Sequence, residues 1–467
     1  MKLKRPNLKK VFATLTFISL AFAASLTYSL MSGHSTSAKS AYSPSNISAA
    51  PAASSAAVSA AAQTTGAILP RTPVYALNAD NVISVLVPGT TSFVRLVRVT
   101  QANGNLIGID FRPADGKNTA LYALADTGTL YTINLTATGL GNVTQVSNMA
   151  TRFPSGVQSL MDFNPVVNAL RLIGSETFNY AVVNNAGNLN AMAIQTSLTY
   201  GPNDVNRGRI PHVSAGTYDN NVVGAATTRF YYIDYDLDTF GTIAAPAGGS
   251  SATAGGVLQT LGPLVTPTGQ RINISSTGDM DIFTTSNGRN NLVGVSGRTF
   301  FTINLAAINP AVAPGGQTNI VANGVTMPDD GNLLIDVAAA PTSYEAENAT
   351  QGGGNINETT NAGFSGTGYV NFRDAAAGGF TEFQVNQAGT QTLIFRYANG
   401  GAANRPCNIT VNGTSVGTVA FAPTGSFTTY RTVTLPVNLP VNSAFKAVRV
   451  TSTTAAGGPN LDKVNVE

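Results

Sequence analysis

Towards the C-terminus, Tyr344-Glu345-Ala346-Glu347 sets two carboxylates one residue apart in a strand-like context. Successive side chains on a strand point to opposite faces, so Glu345 and Glu347 are expected to project together from the first strand of a module. A third carboxylate, Asp462, stands on the last strand-like run, which in an antiparallel sandwich can lie beside the first. Three hard oxygen ligands with added backbone carbonyls suit Ca²⁺, which takes roughly six to eight oxygens. The turn around Arg373-Asp374 is the expected source of the carbonyls. The competing reading is a solvated carboxylate pair without an ion.

Other acidic groups stand closer to the middle of the chain. Asp234, Asp236 and Asp238 alternate, and Asp279 and Asp281 form a second close pair. Paired carboxylates are the apparatus of glycoside hydrolysis. Aspartate after a strand, however, ordinarily caps a turn, and the 234–238 group lacks the glycine and terminal glutamate of an EF-hand loop. These residues are therefore read as non-catalytic, with catalysis in the middle of the chain kept as the alternative. His34 and His212 are the only histidines and Cys407 the only cysteine, which leaves little material for a histidine metal site or triad and none for an intramolecular disulfide. Cys407 heads a strand-like run and reads as a small buried hydrophobe.

The elements that must position these groups are strands. Only 10% of the 467 residues are charged, against roughly 25% in an average soluble domain. Glycine is abundant, at 47 residues, and the overall texture is that of an all-β extracellular protein rich in turns. The formal net charge of +3 owes much to Lys2, Lys4, Arg5, Lys9 and Lys10; the remainder is slightly acidic, which excludes a clustered basic footprint for nucleic acid.

The basic start leads into an apolar run from Val11 to Leu30, with Ala21-Phe22-Ala23 as a small-residue cleavage site. Residues 1–31 read as a secretory signal peptide or, uncleaved, an N-terminal membrane anchor, the expected source of any membrane contact. Residues 32–68 are Ser/Ala-rich and are expected to form a disordered linker. Either outcome exports the rest of the chain to the cell envelope or the exterior.

Residues 69–340 form a loose repeat. Asp110, Asp162, Asp219 and Asp281 recur about 50 to 60 residues apart among short apolar strands, the size of one propeller blade. A β-propeller-like domain of about five or six blades is expected, with a sandwich array or solenoid as alternatives. Ile109-Asp110-Phe111-Arg112-Pro113-Ala114-Asp115-Gly116, Leu130-Tyr131-Thr132-Ile133-Asn134, Asp162-Phe163-Asn164-Pro165-Val166-Val167, Leu198-Thr199-Tyr200 and Ala215-Gly216-Thr217-Tyr218-Asp219-Asn220 carry a resemblance to domain-of-unknown-function family 4394. That resemblance implies boundaries but no chemistry.

Residues 341–467 alternate more cleanly: Leu393, Phe395 and Tyr397; Ile409 and Val411; Val448 and Val450; Val464 and Val466. Turns at Asn412-Gly413, Thr424-Gly425 and Gly457-Gly458 separate the runs, as in an antiparallel β-sandwich of the jelly-roll kind. The segment resembles carbohydrate-binding module families 6 and 35. The carrying motifs are Tyr344-Glu345-Ala346-Glu347, Gly363-Phe364-Ser365-Gly366-Thr367-Gly368-Tyr369-Val370, Phe395-Arg396-Tyr397-Ala398-Asn399-Gly400-Gly401, Arg405-Pro406, Val411-Asn412-Gly413, Pro423-Thr424-Gly425-Ser426-Phe427-Thr428-Thr429-Tyr430 and Gly458-Pro459-Asn460-Leu461-Asp462.

The resemblance implies a structural calcium on Glu345, Glu347 and Asp462. It also implies a sugar site with Tyr369 and Phe427 as paired aromatics and Asn460 as the hydrogen-bonding amide. Phe427 stands where the family usually has tryptophan, a residue this chain lacks, so stacking area and an N–H donor are reduced. Core packing is the alternative for both aromatics. Asn404 and Arg405, in the Gly-rich loop, could contact an acidic sugar such as a uronate, since arginine pairs well with carboxylates; a solvated loop charge is the alternative. The chain is thus expected to be an exported, non-catalytic binder of a polysaccharide or glycan. A secreted carbohydrate-active enzyme and a structural surface adhesin are the other readings.

Overall fold

A computed structural model describes residues 70–467 except 89, 91, 117, 150–152, 155–157, 175–176, 186–187, 244–254, 309–316, 328–332, 374–376 and 443–444. The expected export segment and linker therefore lie outside the described residues, as does Asp374 of the turn expected to supply carbonyl ligands.

Val-, Ile-, Tyr- and Phe-rich runs of five or six residues make the strands of the first part, for example Phe230–Asp234 and Thr239–Ile243. Both are buried along their whole length, because each sheet has a neighbour on either face. Asn168 and Asp238 take left-handed backbone conformations (φ 51° each) in hairpin turns, where a short polar side chain tolerates them.

These strands form five antiparallel meanders. Their first strands are Leu106–Asp110, Ser159–Asn164, Val213–Tyr218, Met280–Thr284 and Leu334–Ala339. Each first strand contacts the next in that order, and Leu334–Ala339 contacts Leu106–Asp110, so the five make a closed ring. The fifth sheet is composite: Leu334–Ala339 pairs with Val74–Asn78, which continues into Val82–Leu86 and Phe93–Arg98. The third and fourth sheets are also linked at their outer strands by a short parallel pairing, Leu264 with Ile320. The arrangement is an all-β ring of five meanders. One register detail differs from the sequence reading: Asp219 falls just past its strand, and Thr217 takes the buried position on the ring.

The last part is a sandwich of two antiparallel sheets. One runs Ile356–Glu358, Tyr369–Asn371, Asn460–Val466, Gly389–Ala398 and Arg431–Leu439, with Ser343–Glu345 also on Asn460–Val466. The other runs Thr350–Gly352, Phe380–Val385, Lys446–Ser452, Arg405–Val411 and Thr414–Phe421. Here alternate residues are buried, as a half-exposed sheet requires. Phe395, Tyr397 and Phe421 meet edge to face in the shared core, with Phe395 and Phe421 centred 5.9 Å apart. Cys407 is fully buried there, and burial pushes its thiol up to about 12.

The two parts are joined by a buried polar seam. Gln387 Nε2 donates to Thr72 Oγ1 (3.2 Å) and to the Pro341 carbonyl (3.0 Å). The single Tyr344 hydroxyl donor lies 2.9 Å from Asn386 Oδ1 and 2.8 Å from Gln387 Oε1, while Asn118 Nδ2 donates to the Ser343 carbonyl at 2.7 Å.

Candidate functional site

The strand Ser343–Glu345 ends at its first carboxylate, and Ala346–Asn348 forms a single 3₁₀ turn. Glu345 and Glu347 therefore do not share a strand face, contrary to the alternation read from sequence. They converge because the turn folds Glu347 back towards the loop Ser365-Gly366-Thr367. The expected neighbour relation with the last strand does hold: Glu345 pairs with Lys463, which sets Asp462 beside it.

Asp462 is fully buried and forms an ion pair with Arg396 on the adjacent strand. Ser365 donates its N–H to Asp462 Oδ1 (2.7 Å), and its hydroxyl lies 3.0 Å from Asp462 Oδ2 and 2.8 Å from Glu345 Oε2. Thr367 donates its N–H to Glu347 Oε1 at 2.7 Å. Gly366 sits between the glutamates at φ +66°; a Cβ there would collide with Glu347 Oε1 and lie 3.1 Å from Glu345 Oε2.

Burial, only partly opposed by Lys463 Nζ at 3.7 Å, pushes Glu345 up to about 7, with Asp462 and Glu347 adding repulsion. Burial raises Glu347 too, and its Oε2 is buried without a hydrogen-bond partner. An orphaned carboxylate oxygen among crowded acids, all of them hard donors, fits a Ca²⁺ ion.

The residues expected to touch sugar separate into two groups. Tyr369 is fully buried; its hydroxyl contacts Glu358 (3.0 Å), Thr360 (2.9 Å) and Asn361 (2.8 Å), and its ring packs 5.9 Å from Phe364. It shows no free face for a sugar ring, so the packing alternative replaces the stacking one.

Phe427 is half-buried over Gly400, where an added Cβ would lie 2.5 Å from the ring. The Arg405 guanidinium lies over the Phe427 ring, and Asn404 beside it is exposed. Arg405 Nη1 donates to the Gly458 carbonyl at 2.9 Å, tying this loop to the segment that ends in Asn460. Asn460 is buried, and its Nδ2 has no hydrogen-bond partner.

Three residues that sequence reasoning left without a role hold these groups. Arg396 neutralises Asp462, donates to the Gly363 carbonyl (2.7 Å) and lies 4.5 Å over the Tyr430 ring. Its position opposite the apolar Leu393–Tyr397 alternation was the available signal. Ser365 bridges Glu345 and Asp462. Asn399, fully buried, organises the Gly-rich loop: it accepts from Gly401 N–H (3.0 Å) and donates to the carbonyls of Ala403 (2.9 Å) and Phe421 (2.8 Å).

Comparison with known proteins divides the chain in the same way. Residues 83–313 match the family model described as a domain of unknown function, DUF4394. Residues 377–466 match the model described as alpha-galactosidase, CBM13 domain. The C-terminal segment is similar to carbohydrate-binding modules. The chain is 40% identical over 129 residues to an exo-beta-D-glucosaminidase of Amycolatopsis orientalis, covering 27% of this chain and 12% of that enzyme. It is also 37% identical over 112 residues to endo-1,4-beta-xylanase B of Cellvibrio japonicus, covering 23% of this chain and 18% of that enzyme.

The chain thus spans less than a fifth of the length of these curated relatives. Among solved structures, a family 35 carbohydrate binding module from Clostridium thermocellum is 43% identical over 27% of this chain and 95% of that one, with a TM-score of 0.25. Xyl-CBM35 in complex with a glucuronic acid containing disaccharide is 33% identical over 27% and 91%, with a TM-score of 0.24. Of the two module families named from sequence, 35 is the one these structures carry.

In the first part, Asp234 behaves as a turn cap. Its Oδ1 accepts from the N–H groups of Asp236 (3.0 Å) and Leu237 (3.1 Å), and Oδ2 accepts from His212 N–H (2.9 Å). Asp236 is exposed, 3.6 Å from His212 Nδ1.

Proposed function

We propose that the chain is an exported, non-catalytic carbohydrate-binding protein whose C-terminal sandwich holds a glycan at the loops carrying Phe427, Arg405, Asn404 and Asn460. The observation that supports it most is the half-exposed Phe427 ring flanked by the Arg405 guanidinium, next to a buried amide donor without a partner on Asn460. A flat apolar face binds the C–H surface of a sugar ring, and polar groups around it bind hydroxyls. Arg405 favours sugars that carry a carboxylate. In this reading Tyr369 supports the site from within the core.

Glu345, Glu347 and Asp462 would hold a structural Ca²⁺ that cross-links the first strand, the Ser365 loop and the last strand. Such an ion would act on stability and loop order. A glycan array with the full chain, run with calcium and with EDTA, tests the reading. Retention of glycans, reduced for Phe427→Ala and Arg405→Ala, is expected; no retained glycan in calcium would overturn it. Fractionation of the producing cells, with the protein recovered in the envelope or medium, checks export.

A further inference from the structure

Where the five first strands of the ring converge, five carboxyl groups are brought together: Asp110, Asp162, Asp279, Asp281 and Asp336. All are at most 2% exposed. Four of their oxygens staple one sheet to another. Asp110 Oδ2 accepts from Phe163 N–H (2.7 Å), Asp162 Oδ1 from Tyr218 N–H (3.1 Å), Asp281 Oδ2 from Ala339 N–H (2.7 Å) and Asp279 Oδ1 from Gly216 N–H (2.8 Å). These staples explain part of the cluster but leave oxygens over.

Asp110 Oδ1 and both oxygens of Asp336 are buried and accept no hydrogen bond of normal geometry, although the Ile109 N–H lies near enough to Asp336 to favour its charged form. Asp336 is directed inward: the charges of Asp279, Asp110 and Asp281 act on it, and its Oδ2 would lie 3.0 Å from a Cβ at Gly108, on the neighbouring first strand. A side chain at 108 would thus crowd this carboxylate. One oxygen each of Asp110, Asp162 and Asp281 lie within 4.8 Å of one another. Two oxygens on opposite sides of a Ca²⁺ ion are about 4.8 Å apart at the usual ~2.4 Å bond length, so the spacing suits one shared ion. Arg171 pairs in register with Asp162, but its guanidinium donates to the Tyr218 hydroxyl (2.6 Å) and to Asn179 (2.6 Å).

Several carboxylates this close and this dry cannot all remain charged without a counter-ion. We propose that Asp110, Asp162 and Asp281, with Asp336 alongside, bind one hard divalent cation at the centre of the ring. An all-oxygen donor set selects Ca²⁺, Mg²⁺ or Mn²⁺ over softer metals. The site is separate from the C-terminal acidic cluster and independent of the sugar-binding reading. The competing account is a cluster neutralised by shared protons, consistent with burial holding these carboxyls above their ordinary range and Asp281 at about 6.

Equilibrium dialysis of the full chain against Ca²⁺, and separately Mn²⁺, with bound metal counted by mass spectrometry, separates the two accounts. Glu345→Gln/Asp462→Asn, which removes charge from the C-terminal cluster alone, is expected to retain one equivalent. Asp110→Asn/Asp281→Asn is expected to lose that equivalent. No metal on Glu345→Gln/Asp462→Asn overturns the proposal in favour of shared protons. Metal retained in full after Asp110→Asn/Asp281→Asn in the same background overturns it as well. Should the ring variant fail to fold, the count on Glu345→Gln/Asp462→Asn still decides, because its ring is unaltered.

Discussion

Arg405 and Phe427 form a cation–π pair, with the guanidinium carbon 5.8 Å from the ring centre, and the same arginine is anchored to the Gly458 carbonyl. The pair is held at an exposed loop, where such an interaction contributes only about 0.5–1 kcal/mol. The arginine is therefore of more interest for contact with a ligand than for stability. Phe427→Ala is expected to weaken glycan binding about tenfold with little change in melting temperature. Phe427→Trp is expected to strengthen it through the larger face. Affinity electrophoresis on polysaccharide gels checks both, and Arg405→Ala should lose uronate-bearing glycans preferentially.

The acidic cluster gives a second expectation. EDTA should lower the melting temperature of the full chain, and calcium should restore it. Gly366→Ala should reduce that calcium response sharply, because a Cβ collides with Glu347 and the backbone is left-handed. Differential scanning calorimetry with and without calcium measures both; an unchanged response in Gly366→Ala would argue against Glu345 and Glu347 as ligands.

Lys446 offers a pH test. It is fully buried, donating to the carbonyls of Asn386 (3.3 Å) and Asn442 (3.0 Å), and burial lowers it to about 8. An unfolded lysine titrates near ~10.4. Between these values the unfolded chain binds more protons than the folded one, so stability should rise as pH increases from about 8 to about 10. Lys446→Met should flatten that rise in thermal melts recorded across this range.

The polar seam gives a fourth expectation. Gln387→Ala removes donors to Thr72 and Pro341 and strips the Tyr344 hydroxyl of one acceptor. Leaving such buried groups unsatisfied costs about 1–3 kcal/mol each. Chemical denaturation should show that loss. Phe421→Ala, in the core of the sandwich, should cost about 3–5 kcal/mol by the same measurement.

The apolar alternation of residues 393–397, 409–411, 448–450 and 464–466 made the sandwich legible, because a half-exposed sheet writes its geometry into the sequence with a period of two. The ring was legible mainly through spacing, since its strands are buried on both faces and show no alternation. Glu345 and Glu347 were found but wrongly placed on one strand face; the 3₁₀ turn that separates them has no strong propensity signal. Tyr369 was misread as a stacking face because a motif match carries no depth. Asp219 held the repeat by type, yet the ring position belongs to Thr217. Asp336 falls outside the repeat of Asp110, Asp162, Asp219 and Asp281, because its relation to Asp110 exists only once the ring closes. Arg396, Ser365 and Asn399 act through partners at least 20 residues away or through loop backbone, which local pattern does not reveal.

The strand that completes the fifth sheet, Leu334–Ala339, pairs with Val74–Asn78 from the opposite end of the ring. Closing so long a loop is slow relative to forming each hairpin. During synthesis the N-terminal strands of this composite sheet must therefore wait, with an open edge, until nearly all of the ring has emerged. The sandwich follows directly at Ser343 and bonds to Thr72 just ahead of that waiting edge. The C-terminal sandwich thus latches the N-terminal strand of the ring, and a chain cut short before residue 334 would keep an unprotected edge open to aggregation.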